Sequence, residues 1–273
     1  MSTYVDLMRL DFPEGEQEKT EMLSEMKGRL SKQRIEKADR FRRPEDEERC
    51  LAAGILLDHA LMRFGRREKT EKMGISEHGK PMLLSCPELF FNLSHSGDFV
   101  MSVISDRPCG CDVEEVRQAA AGVSRRFFCE EECREIFSCP EGKERDRMFT
   151  CFWTMKESYV KMTGTGLTIP LDSFRILLPQ KMGMHRKYIA EKVPDIKNIQ
   201  TEKMRTENGK YSGDAVGRVI RDGQSTDCAL YDFSECMKEK REKISGGEAC
   251  ASLCLSSEDR DVFFSFQKLS DVI

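Results

Sequence analysis

The sequence lacks any apolar run approaching the roughly 20 residues that a helix needs to span a bilayer. Residues 1–9 have neither the basic start nor the apolar stretch of a secretory signal. Hydrophobic residues make up 39% and charged residues 34% of the 273 positions, which is typical of a globular protein and not of a disordered one. The chain is therefore predicted to be cytoplasmic, without a membrane partner.

The sequence also lacks a CxxC pair, although it contains 12 cysteines, and only four histidines could act with them as metal ligands. The closest cysteines are two or four positions apart, at Cys109/Cys111, Cys129/Cys133 and Cys250/Cys254. This spacing does not suit a zinc site or a disulfide framework. In a cytosolic chain it predicts reduced thiols that pack as small apolar side chains.

Basic residues are concentrated in one segment of a chain whose net charge is −4. Between positions 27 and 43, eight lysines and arginines stand against two acidic residues. Such a cluster forms either a solvated helix face or a site for an anion, and composition leaves both open. Nucleic acid is the weaker interpretation, because the rest of the chain is acidic.

Strand and helix patterns mix without regular alternation, which predicts an α+β fold. Helices are predicted from Pro44, where an acidic first turn follows, to Gly65, and over 130–137 and 143–162. Strands are predicted at 4–10, 90–93, 99–105, from 109, at 170–178, 251–255 and 262–266, with a polar turn at 94–98. We place a domain boundary after Pro108, giving units 1–108 and 109–273. The Lys/Glu-rich stretch 180–250 shows little periodicity and is predicted to contain a mobile insertion.

Two carboxylates stand two positions apart in Gly110-Cys111-Asp112-Val113-Glu114. In a strand this spacing puts Asp112 and Glu114 on one face, with Cys111 and Val113 on the other. Two hard oxygen ligands on one surface can seat Mg²⁺, particularly where substrate phosphates complete the coordination. The alternative is an acidic strand end in solvent.

The predicted helix 143–162 carries a second set of charged residues. Trp153, Glu157 and Lys161 follow at intervals of four and share one face. A carboxylate and an ammonium on one face could hold a metal ion and a phosphate together. Taken alone, a surface ion pair worth about 0.3–0.5 kcal/mol is the simpler interpretation.

Five motifs that follow one another along the chain favour the functional interpretation of these charged residues. Gly110 to Glu114 and then Trp153 to Lys161 resemble the paired signatures of the 4′-phosphopantetheinyl transferases, closest to the two-lobed surfactin-synthetase-activating type. Three further segments resemble the family's remaining motifs, namely 79–81 (Gly-Lys-Pro), 91–97 (Phe-Asn-Leu-Ser-His-Ser-Gly) and 164–174, which follows the helix. The similarity runs from about residue 31 to residue 178.

The resemblance implies a monomer of two similar α/β lobes in a pseudo-twofold arrangement, with coenzyme A bound between them. It implies Mg²⁺ ligands at Asp112, Glu114 and Glu157, with Glu157 as a candidate base and Lys156 as a less certain helper. Contacts to coenzyme A are implied for a wider set: Lys161, Ser94 and His95 at phosphate oxygens, Lys80 and Pro81 at the adenine, and Arg34, Lys37 and Arg49 at the ribose 3′-phosphate. The first lobe would thus hold the nucleotide end, and the second lobe the metal and the docking surface.

The implied reaction moves the phosphopantetheine arm of coenzyme A to a serine of an apo acyl or peptidyl carrier protein and releases adenosine 3′,5′-bisphosphate. Alignment and charge neutralisation are what phosphoryl transfer requires of a protein, and the predicted residues could supply both. Two alternatives stay open. One is a Mg²⁺-dependent pyrophosphate hydrolase acting on coenzyme A or nucleotides, and the other is a protein that binds coenzyme A or a carrier without catalysis.

Overall fold

A computed structural model describes residues 3–178, 205–207, 210–212, 217–233, 248–256 and 262–273. Its first sheet has the strand order β4-β5-β1-β13-β9-β8. Those strands are β1 (Thr3–Arg9), β4 (Phe90–Ser96), β5 (Phe99–Ser105), β8 (Arg205–Glu207), β9 (Lys210–Ser212) and β13 (Val262–Lys268). A separate hairpin of β2 (Met73–Ile75) and β3 (Pro81–Leu83) precedes β4.

The second sheet has the order β6-β12-β11-β10-β7 and is antiparallel throughout. Its strands are β6 (Cys109–Glu115), β7 (Phe174–Leu177), β10 (Gly217–Arg221), β11 (Gln224–Asp232) and β12 (Ala249–Leu255). Because β4 and β6 each end the strand order of their sheet, each has one side without a strand partner among the described residues.

Each sheet carries one long helix on its outer face. The first sheet packs against α1 (Glu16–Arg29), α2 (Lys32–Ala38) and α3 (Pro44–Met62), and the second packs against α4 (Ala121–Phe127), α5 (Glu130–Ser138) and α6 (Lys143–Thr163). α3 starts at Pro44 and has three acidic residues in its first turn, which suits the positive end of the helix dipole. α6 ends at Gly164, whose φ of 70° is the left-handed conformation that glycine adopts at little cost.

The inner faces of the two sheets share one hydrophobic core. Val5, Met101 and Phe264 from the first sheet pack with Val113 and Leu253 from the second. The α+β prediction is confirmed, with two sheets and their outer helices in place of regular alternation. β13 lies parallel to β1 and places a C-terminal strand in the first sheet. The division after residue 108 stays a prediction.

Three predicted elements need correction. Residues 94–96, predicted as part of a turn, continue β4, because Ser94 and Ser96 are buried against β6 and not exposed in a loop. The strand predicted at 170–178 begins only at Phe174, after a short 3-10 turn at Leu171–Ser173. Within 180–250, residues 217–232 form β10 and β11 inside the second sheet. Most of the predicted insertion lies outside the described residues.

No helix in the described part of the chain is long and apolar enough to cross a membrane. Many of the cysteines lie in the core, where burial raises the pKa of the Cys109 thiol to about 12 and also raises that of Cys111. These thiols therefore stay protonated at neutral pH and act as apolar side chains.

Candidate active site

Side chains, not backbone, join the edge strands β4 and β6. The N–H groups of Cys111, Val113 and Glu115 have no strand partner on this side of β6 and donate instead to side chains of β4. Their acceptors are the side-chain oxygens of Asn92 (2.9 Å), Ser94 (3.3 Å) and Ser96 (3.2 Å). Alternate residues of a strand share a face, so Asn92, Ser94 and Ser96 form one polar row along β4. We call these three residues the β4 polar row.

We call this contact between β4 and β6 the joint of the two sheets. Asp112 lies at its centre and is 2% exposed. Its Oδ1 accepts a hydrogen bond from Ser94 Oγ at 2.7 Å and pairs with Lys161 Nζ at 2.6 Å. Its Oδ2 is buried and has no hydrogen-bond partner among the described residues. An unpaired buried carboxylate oxygen is costly, which makes Oδ2 the oxygen of Asp112 suited to a cation or a further donor.

Glu114 and Glu157 face the same charged centre. Burial raises the pKa of both, and the negative charge of Asp112 raises each of them further. Ser96 Oγ donates to Glu114 Oε2 at 2.6 Å. Lys161 opposes the rise, since its ammonium favours the ionised form of both carboxyls, while Asp112 keeps the pKa of Lys161 raised against the effect of burial. Three carboxyls thus face Lys161 and the largely exposed Arg117, which pairs with Glu114 at 3.8 Å, so carboxyls outnumber cations.

Gly110 permits α6 to pack closely against β6. Gly110 lies under the last turns of α6, and a Cβ at this position would overlap the backbone of Ser158, Lys161 and Met162. Because no side chain intervenes, α6 approaches β6 closely enough for Lys161 to reach Asp112.

A cleft of about 250 Å³ opens beside Glu157 and Lys161. Its walls come from the β2–β3 hairpin at Lys80 and Pro81, from Asn92 of β4, and from Glu157 and Lys161 of α6. The cleft therefore lies between the hairpin and β4 on one side and α6 on the other, next to the charged centre.

The side chain of Lys80 reaches across this cleft to β6 and α6. Its Nζ donates to the carbonyl oxygens of Cys109 (2.8 Å), Lys161 (2.7 Å) and Met162 (3.3 Å). A cation at the carbonyl end of a helix interacts favourably with the helix dipole. The structure thus brings Lys80 to the C-terminus of α6, and burial lowers its pKa. Its predicted adenine contact stays a prediction, as does that of Pro81.

The residues predicted at the 3′-phosphate are brought together only in part. Partial desolvation lowers the pKa of His95 although the residue is exposed, and the positive charges of Arg49, Lys161 and Lys37 lower it further, so these cations lie near the imidazole. Arg49 also donates to the carbonyl of Gly97 at 3.3 Å. Arg34 is separate from this group in its contacts, because its Nε pairs with the buried Glu68 at 3.3 Å.

The structure does not bring Lys156 to the carboxylates. Its side chain is fully buried, and its Nζ donates to the carbonyls of Leu171 and Phe174, both at 2.7 Å, and to Glu132 at 2.9 Å. Glu132 in turn accepts from the N–H of Ile176 at 2.7 Å. These contacts tie α5, α6 and the start of β7 together.

The donor set fits a divalent cation, although no group of three or more His, Cys, Asp or Glu residues has metal-site geometry in the part of the chain that the structure describes. Asp112 Oδ2 is a buried oxygen without a partner, and two further carboxyls interact electrostatically with Asp112. Carboxylate oxygens are ligands that Mg²⁺ prefers. Lys161 supplies the positive charge at Asp112 in this structure.

Sequence reasoning missed the structural roles of Asn92, Ser96 and Gly110. The available signal was the alternation of small polar residues at 92, 94 and 96 next to a strand, which we interpreted in part as a turn. Alternate buried polar side chains can also mark the joint between two sheets, because they satisfy backbone groups that have no strand partner.

The fold and site define a two-sheet α+β protein with an acidic, lysine-containing centre beside a cleft. Residues 108–212 match the family model of the 4′-phosphopantetheinyl transferase superfamily. The 4′-phosphopantetheinyl transferase Sfp of Bacillus subtilis (strain 168) is 33% identical over 152 residues, covering 55% of this chain and 67% of Sfp. The 4′-phosphopantetheinyl transferase ffp of B. subtilis is 33% identical over 163 residues (59% and 71%). HetI of Nostoc sp. is 31% identical over 187 residues (65% and 76%). The chain belongs to the 4′-phosphopantetheinyl transferase superfamily.

Proposed function

We propose that this protein transfers the 4′-phosphopantetheine arm of coenzyme A to a serine of an apo carrier protein. Membership of the superfamily supports the reaction class. The observation that carries the proposal is the cluster of Asp112, Glu114, Glu157 and Lys161 beside the cleft. A pyrophosphate held there would have both cationic and metal-binding groups at hand.

Asp112, Glu114 and Glu157 are the residues that would hold Mg²⁺. The free Oδ2 of Asp112 and the excess negative charge of the three carboxyls support this assignment. When bound, the ion would neutralise charge on pyrophosphate oxygens.

In the reaction, the carrier serine Oγ forms a bond to the β-phosphorus of coenzyme A. The bond from that phosphorus to the bridging oxygen breaks, and adenosine 3′,5′-bisphosphate leaves with the electron pair. The serine proton goes to Glu157, directly or through water. Glu157 lines the cleft together with Lys161, which supports its carboxylate as the group near the entering serine hydroxyl.

Positive side chains around the cleft would bind the phosphates. Lys161 would offset charge on the leaving pyrophosphate oxygen, and its pairing with Asp112 at the acidic centre supports this role. Arg49 and Lys37 lie near His95 and would hold the 3′-phosphate in the first half of the protein. Lys80 would support the site from the far side of the cleft by fixing the end of α6.

Intact-mass analysis of an apo carrier protein incubated with this protein, coenzyme A and Mg²⁺ tests the proposal. We expect the carrier to gain one phosphopantetheine group, with one adenosine 3′,5′-bisphosphate released for each carrier modified. Release of free phosphopantetheine with an unmodified carrier would identify a hydrolase. Coenzyme A binding without any turnover, with several apo carriers tried, would identify a binding protein.

A further inference from the structure

We propose that Ser94 and Ser96 of the β4 polar row are positioning residues, which fix Asp112 and Glu114 for a divalent cation. This inference rests on the proposed function. It means that β4, a strand of the first sheet, orients the metal-binding carboxylates of β6, a strand of the second sheet. The same side chains would then both connect the two sheets and build the cation site.

The hydrogen bonds of Ser94 leave it no free proton for a phosphate. A hydroxyl has one donor and two acceptor positions. Ser94 Oγ donates to Asp112 Oδ1 at 2.7 Å, and it accepts from Val113 N at 3.3 Å and from Lys161 Nζ at 3.1 Å. All three positions are in use within the protein, so the hydroxyl orients Asp112.

Ser96 repeats this arrangement two residues along. Its Oγ donates to Glu114 Oε2 at 2.6 Å and accepts from the N–H of Glu115 at 3.2 Å. Ser96 is 5% exposed, which keeps water from replacing either bond freely. The 18-residue separation between each serine and its carboxylate is the same for Ser94 and Asp112 as for Ser96 and Glu114. Equal spacing along both strands sets the two carboxylates in register.

The hydrogen bond to Asp112 uses Oδ1 and leaves Oδ2 without a partner. A serine that holds one carboxylate oxygen restricts rotation of the whole group. The second oxygen then has a fixed direction before any ion arrives. Groups that orient a metal ligand in this way typically change metal affinity or activity by about 10–100-fold when removed.

Ser96→Ala is the variant for the test, and Ser102→Ala is the matched control. Ser102 is also a fully buried serine of the first sheet, on the neighbouring strand β5, and its hydroxyl has no partner among the described residues. The two variants remove the same atoms from the same sheet, and only one of them removes a bond to a carboxylate. Mn²⁺ binding in the presence of coenzyme A, followed by the electron paramagnetic resonance of free Mn²⁺, gives a readout that is independent of turnover.

We expect Ser96→Ala to weaken Mn²⁺ binding by about 10-fold or more. The Mg²⁺ concentration for half-maximal transfer should rise by a similar factor, while the KM for coenzyme A at saturating Mg²⁺ changes less than twofold. Ser102→Ala should match the wild type in all three measurements. The melting temperatures of the two variants show whether either change is a general loss of folding.

Two results would overturn the inference. In one, Ser96→Ala binds Mn²⁺ as tightly as Ser102→Ala. In the other, Ser96→Ala raises the KM for coenzyme A without changing the metal dependence, which would make Ser96 a substrate contact. Failure of the proposed function is a separate result, because Mn²⁺ binding can depend on Ser96 even if no carrier protein is modified.

Discussion

Gly110→Ala should disturb the protein at the contact between β6 and α6. A Cβ at residue 110 would lie 2.8 Å from the carbonyl carbon of Lys161 and closer still to Met162 N and Ser158 O. Real Cβ atoms do not approach heavy atoms within 3.0 Å, so one of the two elements must move. The obstructing atoms are helix backbone, which cannot rotate away as a flexible side chain can.

The expected cost follows from this geometry. Inserting a methyl group into a packed core costs about 1–3 kcal/mol, and the rigid neighbours place this site at the upper end, about 3 kcal/mol. At about 2–4 °C of melting temperature per kcal/mol for domains of about 150–250 residues, the expected fall is about 6–12 °C. If α6 moves instead, Glu157 and Lys161 move with it, and a displacement of about 1 Å can lower turnover by about 10²-fold.

Thermal unfolding and carrier-modification rates, measured on the same preparations, are the assays. Gly28→Ala is the control, because Gly28 lies inside α1 and a Cβ there would meet no atom within 4 Å. Its melting temperature should be unchanged or slightly raised, since alanine favours a helix over glycine. A Gly110→Ala protein with the melting temperature and turnover of the wild type would refute the argument that the missing Cβ sets the β6–α6 distance.

Three other expectations concern the buried pair Lys156–Glu132 and the residues His95 and Arg49. Lys156→Met or Glu132→Gln should each lower the free energy of unfolding by about 3–5 kcal/mol in urea titrations, since each leaves a buried partner uncompensated. The double variant should lose less than the sum of the two single losses. Additive losses would contradict a structural pair. The pKa of His95 is lowered in the free protein, so adenosine 3′,5′-bisphosphate should raise it in NMR titrations and bind more tightly as pH falls between the bound and free pKa values. The pKa of His59 should not change, and an unmoved His95 would contradict its place at a phosphate. Arg49→Ala should weaken coenzyme A more than 3′-dephospho-coenzyme A in calorimetric titrations, whereas equal losses would remove Arg49 from the 3′-phosphate.

Periodicity predicted the elements that follow local rules. α3 starts at Pro44 as predicted but ends at Met62, before the predicted Gly65, whereas α6 ends at Gly164 as its glycine indicates; β1, β5 and β6 follow runs of apolar or alternating residues. These patterns express burial of one face, which depends on neighbours along the chain.

Long-range contacts explain what periodicity did not predict. Ser94 and Ser96 looked like turn residues because their hydrogen-bond partners, Asp112 and Glu114, are 18 positions away. The family resemblance implied Lys156 as a less certain helper of Glu157, yet on a helix adjacent residues point in directions about 100° apart. Its partner Glu132 comes from another helix, which spacing within one motif could not indicate.

The cation site at the joint of the two sheets is tested most directly by anomalous diffraction from crystals of the protein grown with Mn²⁺ and coenzyme A. We expect one Mn²⁺ peak bound by oxygens of Asp112, Glu114 and Glu157, with Oδ2 of Asp112 among them and the pyrophosphate on the same ion. A peak bound by other residues, or coenzyme A seated in the cleft with Lys161 still paired to Asp112 and no ion between the three carboxylates, would contradict this site.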